Sequence, residues 1–270
     1  MRNIIYCFSG TGNCLAIARL VAVNLTETEV LPMMTLRDSK EVPAEYERVG
    51  FVFPTCYAHP PRIVAELGKD LLIHPHQKIF IIVTCGGGNG FTLSDFRRLI
   101  QSKTQNLIQG FSIRMPGNHI VGFSAWKEST QQRLFDNAKK SVDKVVYKII
   151  NDIPTKIKKD PNIKIITFMS ETFNGFLGIK DIHSTKAEFF TTEACVHCGI
   201  CEKLCPVGNI KESSTTASFG DNCQQCMACI QWCPKRAISH PNVPKNRKRY
   251  QHPDITVEDM LMLTKRNGLQ

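Results

Sequence analysis

A duplicated cysteine run near the C-terminal end of the chain constrains the fold most strongly. Eight of the twelve cysteines lie between residues 195 and 233. In each run, three cysteines stand three positions apart, and a fourth cysteine, followed by proline, stands four positions after the third. The first run is Cys195, Cys198, Cys201 and Cys205, and the second is Cys223, Cys226, Cys229 and Cys233. Zinc sites usually show two CxxC pairs instead, and a disulfide framework requires an oxidising compartment, so neither alternative fits as well.

The repeated spacing resembles the motif of bacterial ferredoxins that carry two [4Fe–4S] clusters. In those proteins the fourth cysteine of each run binds the cluster of the other run. The resemblance implies that one cluster is held by Cys195, Cys198, Cys201 and Cys233. It implies that the other is held by Cys223, Cys226, Cys229 and Cys205. Electron transfer is the function that such a pair of clusters implies.

The N-terminal part of the sequence alternates apolar runs with helical patterns. The apolar runs cover residues 3–8, 49–53, 78–84 and 107–115. The helical patterns cover residues 13–24, 93–100 and 128–153, with a further one opening at Pro60. Continuous apolar strands, each followed by a helix, indicate a parallel sheet covered on both faces. The sequence therefore predicts an α/β fold with a flavodoxin-like, doubly wound, five-stranded parallel sheet, followed by a small α+β ferredoxin domain.

Three loops follow strands of the predicted sheet and should meet at its carboxyl edge, where ligands bind in such folds. The first, Ser9–Asn13, suits a phosphate group, because its N–H groups and hydroxyls precede a helix N-terminus. It resembles the flavodoxin phosphate loop, except that Cys14 replaces a threonine. The resemblance predicts FMN, contacted by Ser9, Gly10, Thr11, Gly12, Asn13, Cys14, Pro54, Thr55, Tyr57, Thr84, Cys85, Gly86, Gly87, Gly88 and Asn89. Two alternatives stay open: Tyr57 as an ordinary half-buried tyrosine, and the triple glycine as a flexible loop.

The whole chain resembles the EFR1 family ferredoxins, anaerobe proteins that join a flavodoxin-like domain to a two-cluster ferredoxin. We expect a flavodoxin-like FMN-binding domain at residues 1–155, a connector at 156–185, and a ferredoxin domain at 186–245. A basic tail with a short helix is expected at 246–270. The basic run 245–249 is interpreted as a solvated or docking segment.

These features predict an electron carrier that converts between two-electron and one-electron donors, by coupling FMN to the two clusters. Its partners would be redox proteins, and no residue is predicted to be catalytic. The alternative is an FMN-dependent reductase of a small molecule, fed through the clusters. The flavin loops offer His59 and His119 as proton donors, which a reductase needs and a carrier does not. A redox sensor is a third possibility, for which the sequence offers no switch element.

Charge and the N-terminal sequence bound the location and partners. The formal net charge is +10. Two bound clusters and an FMN phosphate would reduce it to roughly +4, which argues against a nucleic-acid partner. Residues 1–8 are apolar but run directly into the first glycine loop, so no export signal is predicted. We therefore expect a cytoplasmic protein with reduced thiols and no membrane span.

Overall fold

The computed structural model describes residues 2–104, 106–157, 188–213 and 216–264. Residues 158–185 of the predicted connector lie outside the described residues. The strands are β1 Asn3–Cys7, β2 Thr28–Pro32, β3 Arg48–Pro54, β4 Lys78–Cys85, β5 Ile108–Arg114, β6 Phe190–Thr191, β7 Ile210–Glu212, β8 Ala217–Phe219 and β9 Ile238–Ser239. The helices are α1 Asn13–Asn24, α2 Leu36–Ser39, α3 Arg62–Asp70, α4 Thr92–Gln101, α5 Glu128–Ile150, α6 Ile200–Leu204, α7 Ala228–Trp232 and α8 Val257–Thr264, and a 3₁₀ turn spans Met33–Thr35.

The first five strands form one parallel sheet in the order β2-β1-β3-β4-β5. This flavodoxin-like arrangement confirms the predicted fold class. Alternating side chains of the strands enter two cores. One core lies under α1 and α5, and the other lies under α3 and α4. The central strands are buried on both faces, which explains why they read as continuous apolar runs.

Two differences from the predicted elements have local causes. β2 was not located from the sequence, because it is an edge strand whose residues are half-buried or exposed. The long helix α5 ends at Ile150 and not at residue 153. Asp152 takes a left-handed backbone conformation with φ 51°, which a continuing helix does not allow.

An ion cluster holds the end of α5 to the amino edge of the sheet. Asp152 accepts hydrogen bonds from Arg48 at 3.2 Å and from Lys78 at 2.6 Å. The Arg48 side chain is only 7% exposed. Burial raises the pKa of Asp152, but the bonds from Lys78 and Arg48 outweigh it and lower the pKa overall. This cluster stands at the opposite edge of the sheet from the predicted ligand loops.

The segment 246–264, here called the C-terminal strap, packs onto the sheet domain. Met260 and Leu263 of α8 are buried in the core beside α1. Arg19 of α1 lies 2.5 Å from Asp259 of α8. Arg247 donates to the carbonyls of residues 120 and 121, both at 2.7 Å. Within the basic run, Arg247 and Arg249 are half-buried in contacts with the same chain, whereas Lys245 and Lys248 are exposed.

Candidate metal centre

The two cysteine runs fold as two copies of one backbone. They lie 28 positions apart, from residue 195 to residue 223. Each copy contains one short helix, α6 or α7. Each copy also has left-handed residues at the same three positions: His197, Gly199 and Gly208 in the first copy, and Gln225, Met227 and Arg236 in the second. Left-handed residues within turns direct successive N–H groups into concavities that suit an anion.

The strands that flank the two helices are exchanged between the copies. β6, at the start of the first copy, pairs with β9, at the end of the second. β7, at the end of the first copy, pairs with β8, at the start of the second. Both pairs are antiparallel. The exchange brings the fourth cysteine of each run beside the first three of the other.

Each of two cavities in this region is lined by four cysteines. One is lined by Cys195, Cys198, Cys201 and Cys233. The other is lined by Cys205, Cys223, Cys226 and Cys229. The cysteines stand around the cavity walls, and among the described residues no three His, Cys, Asp or Glu side chains converge as a ready site for a single metal ion. The structure thus brings together the same two sets of four that the ferredoxin resemblance implied.

Backbone N–H groups point at several of these sulfur atoms. The N–H of Asn209 donates to Sγ of Cys205 at 3.1 Å. The N–H of Ala237 donates to Sγ of Cys233 at 3.2 Å, at the equivalent position of the second copy. Such bonds favour the thiolate and, in an iron–sulfur site, raise the reduction potential.

Burial opposes ionisation of the same thiols in the protein alone. It raises the pKa of Cys201 to about 11 and holds the pKa of Cys229 well above its usual range. A bound metal reverses this balance, because a coordinating thiol is deprotonated outright. The donor set therefore fits a soft metal centre bound by thiolates.

The first loop of the sheet edge is covered by the C-terminal part of the chain. Trp232 Nε1 donates to the carbonyl of Gly10 at 3.0 Å. Tyr250 donates its hydroxyl to Oδ1 of Asn13 at 2.5 Å, and the N–H of residue 252 donates to the carbonyl of Thr11 at 2.9 Å. Thr11 is only 1% exposed.

The polar groups of this covered loop are bonded to other protein groups. The N–H of Gly12 already donates to Ser9 Oγ at 3.1 Å, and Thr11 Oγ1 accepts a bond from Asn118 at 2.7 Å. A Cβ added at Gly12 would lie 3.0 Å from the Cβ of residues 252 and 255. A Cβ added at Gly10 would overlap the carbonyl oxygen of Cys226. The phosphate-binding prediction for this loop finds no support in this arrangement.

The other predicted flavin residues lie at the same edge but make protein contacts. The Sγ of Cys14 lies 3.1 Å from Thr84 Oγ1. Burial raises the pKa of the Cys14 thiol to about 12. Thr55 bonds to Thr92 at 2.6 Å and extends from the end of β3, where Pro54 stands. Cys85 is buried against Ser112.

The glycine loop, residues 84–90, is less enclosed than the Ser9–Asn13 loop. Gly86 approaches Gly117, whereas a Cβ added at Gly87 would meet nothing within 4 Å. Gly88 and Asn89 complete the loop, and Oδ1 of Asn89 is buried with no hydrogen-bond partner. That one atom is the feature of the glycine loop that favours a ligand.

Tyr57 lies in the loop 54–61 that follows β3 and connects this loop to the second cysteine run. Its hydroxyl donates to Gln225 Oε1 at 2.8 Å and lies 2.8 Å from Nε2 of His119. Burial lowers the pKa of His119 to about 4, so the imidazole is neutral and its Nε2–H donates to the tyrosine oxygen. Both residues therefore belong to a hydrogen-bonded chain that ends between Cys223 and Cys226.

Sequence reasoning missed the residues that cover the first loop. Trp232 directly precedes the last cysteine of the second run, and Tyr250 directly follows the basic run 245–249. The only available signal was their aromatic character among polar neighbours, which does not by itself indicate where they pack. Their bonds to the loop span 222 and 237 positions of sequence.

Comparison with known proteins bears on the two cysteine runs. Residues 189–211 match one family model and residues 223–237 match another, both described as a 4Fe-4S binding domain. No curated protein matches the chain. The predicted 4Fe–4S ferredoxin character of the C-terminal region is confirmed, and its motifs support electron transfer. None of the helices in the described ranges has both the length and the apolar character needed to cross a bilayer.

Proposed function

We propose that the chain is an electron carrier holding two [4Fe–4S] clusters, each bound by cysteines from both runs. Cys195, Cys198, Cys201 and Cys233 hold the first cluster, and Cys223, Cys226, Cys229 and Cys205 hold the second. The single observation that carries the proposal is the division of eight cysteines between two cavities, four to each. A [4Fe–4S] cluster supplies reversible one-electron storage when bound.

The two cavities differ in their access to solvent. Cys198, in the first set, is exposed, and its neighbour Val196 is 54% exposed. The second set is more enclosed, because Cys226 contributes to the interface with the first loop and Ala228, beside Cys229, is 2% exposed. We propose that redox partner proteins meet the first set, at the surface that carries Val196.

The expectation of a bound flavin has weaker support than the clusters. The parallel sheet and the buried, unpartnered Oδ1 of Asn89 favour a ligand at the sheet edge. In the Ser9–Asn13 loop, where an FMN phosphate is expected, the Gly12 N–H is bonded to Ser9 and Trp232 covers Gly10, which weighs against a bound phosphate. We therefore propose the clusters as the resident centres and assign no step to a flavin. The reductase alternative is favoured by one observation, an open cleft beside Cys223.

The proposal is tested by counting iron, sulfide and flavin in protein purified without oxygen. We expect about eight iron and eight sulfide per chain. Cys233→Ser and Cys205→Ser should each reduce the iron to about four, since each removes one ligand from a different cluster. Cys85→Ser, which changes a buried cysteine outside both sets, is the matched control and should keep the full count.

Two results would contradict the cluster assignment. Zinc in place of iron would exclude electron transfer. Loss of both clusters in only one of the two serine variants would show that the sets are not the ones proposed. About one FMN per chain would leave the cluster assignment intact and would restore the converter function.

A further inference from the structure

An open cleft lies where the sheet domain meets the second cysteine run. It encloses about 350 Å³, within the range of small-molecule sites. Helices α3 and α4 form one side, and residues 223–225 form the other. Arg62 donates to Asn222 at 2.8 Å, and the N–H of Ile63 donates to Gln224 at 3.0 Å. These two bonds fix the sides of the cleft relative to each other.

The walls of the cleft are apolar and its rim is basic. Pro60, Pro61, Ala65 and Leu99 supply flat apolar surface. The cationic side chains at the rim are Arg62, Lys69 and Arg98. Two carboxylates lie beside them: Asp95 is 3.7 Å from Arg98 and 2.8 Å from His59, and Glu66 is 3.6 Å from Arg62. Three cations and two carboxylates leave a net charge of +1 at the rim, and this excess over apolar walls favours a flat ligand that carries an acidic group.

The turn at the floor of the cleft has an unfavourable backbone. Tyr57 and Ala58 both have left-handed conformations, with φ 48° and φ 68°. Non-glycine residues in this region are strained, and such positions concentrate at ligand sites. Reciprocal backbone hydrogen bonds between Cys56 and His59, at 2.8 and 2.9 Å, hold the turn. The turn positions the Tyr57 hydroxyl to donate to Gln225 Oε1, and this bond connects the floor of the cleft to the second cysteine run.

Cys223 belongs to both the cleft and the second cysteine set. A molecule seated in the cleft therefore lies beside a ligand of the second cluster. We propose that the cleft binds a flat aromatic anion, one ring system with a carboxylate, phosphate or sulfonate, against Cys223. The cleft is formed by polypeptide alone, so binding in it does not depend on the proposed function. Only the placement of the bound molecule beside a cluster ligand rests on the proposed function.

The test measures binding of anthraquinone-2-sulfonate to the holoprotein by equilibrium dialysis under argon. This probe has the required shape and charge and does not add to thiols as smaller quinones do. We expect saturable binding of one molecule per chain. Replacing two rim cations, Lys69→Ala with Arg98→Ala, should weaken binding by about tenfold, at roughly threefold per charge. The matched control, Arg133→Ala with Lys140→Ala on the exposed face of α5, should change the dissociation constant less than about twofold.

A second variant tests shape without changing charge. Ala65→Phe places a ring in the cleft from the half-buried face of α3 and should abolish saturable binding. Absence of saturable binding to the unaltered protein would overturn the proposal. So would binding that survives both the Ala65→Phe change and the loss of the two rim cations. Iron measured in the same samples separates this failure from failure of the cluster assignment.

Discussion

Gly10→Ala should separate the sheet domain from the second cysteine run. The added Cβ would overlap the carbonyl oxygen of Cys226 and lie 3.0 Å from its carbonyl carbon. Carbon and carbonyl oxygen normally meet at about 3.3 Å, so the two segments must move apart by more than about 1 Å. Neither side can yield easily, since both partners are backbone in a buried interface.

The expected cost combines overpacking with a weakened hydrogen bond. Overpacking of a close interface costs about 1–3 kcal/mol. Displacing Gly10 also stretches the bond from Trp232 Nε1 to its carbonyl, a neutral bond of about 1 kcal/mol. We expect Gly10→Ala to lower the free energy of unfolding by about 3 kcal/mol. The spectrum of the cluster that we propose to be bound through Cys226 should change as well.

Gly87→Ala is the control for this experiment. It lies in another loop at the same sheet edge, and its added Cβ would meet nothing within 4 Å. Both variants are unfolded in urea under argon, and unfolding is followed by far-ultraviolet circular dichroism, with electron paramagnetic resonance of the reduced protein beside it. Equal midpoints and unchanged cluster signals for the two variants would refute the described contact between Gly10 and Cys226.

Three further predictions concern other parts of the structure. A double-mutant cycle of Arg19→Ala and Asp259→Ala should give a coupling of about 0.5–1 kcal/mol, measured by urea unfolding, because the pair is partly exposed; a coupling of zero would show that it does not hold α8. The folded-state pKa of His119, about 4, lies below the usual value, so the unfolded chain binds the proton first and stability falls as pH drops from about 6.5 towards 4. Between pH 7.5 and pH 5 the loss should be about 1–2 kcal/mol larger in the unaltered protein than in His119→Gln, and equal losses would contradict the burial of a neutral imidazole. Asp152→Ala should lower the free energy of unfolding by about 2–3 kcal/mol, because it removes the carboxylate that pairs with the buried guanidinium of Arg48. Asp70→Ala, which breaks an exposed pair with Lys40 at 3.8 Å, should lower it by less than about 0.5 kcal/mol; equal losses measured by urea unfolding would contradict this difference.

The central elements of the fold could be predicted because their signals are local. Helix α1 has the predicted bounds, Asn13 to Asn24, since a glycine turn precedes it and its apolar residues recur at helical spacing. The buried strands β3 and β4 appear as continuous apolar runs. Edge strand β2 gave no such signal, because it contains Thr28 and Glu29 and packs only partly against the core.

The cysteine sets could be predicted, and the contacts around them could not. A thiolate site needs fixed spacing along the chain, and spacing is visible in sequence. The cover over the Ser9–Asn13 loop arises instead from side chains more than 200 positions away. Hydrogen bonds such as that from Tyr250 to Asn13 leave no periodic pattern in either segment. The loop was therefore recognised by its phosphate-binding pattern, while the segment that covers it was not.

The exchanged strands of the cysteine region set the order in which the chain can mature on the ribosome. When synthesis has passed Cys205, the first copy has all its cysteines, but β6 still lacks β9 and β7 lacks β8. The first cavity cannot close until Cys233 has emerged, and the second needs Cys229 as well as Cys205. Neither cavity can form from one run alone, so a centre proposed to be bound by either set can be inserted only after both cysteine runs and the sheet domain have left the exit tunnel.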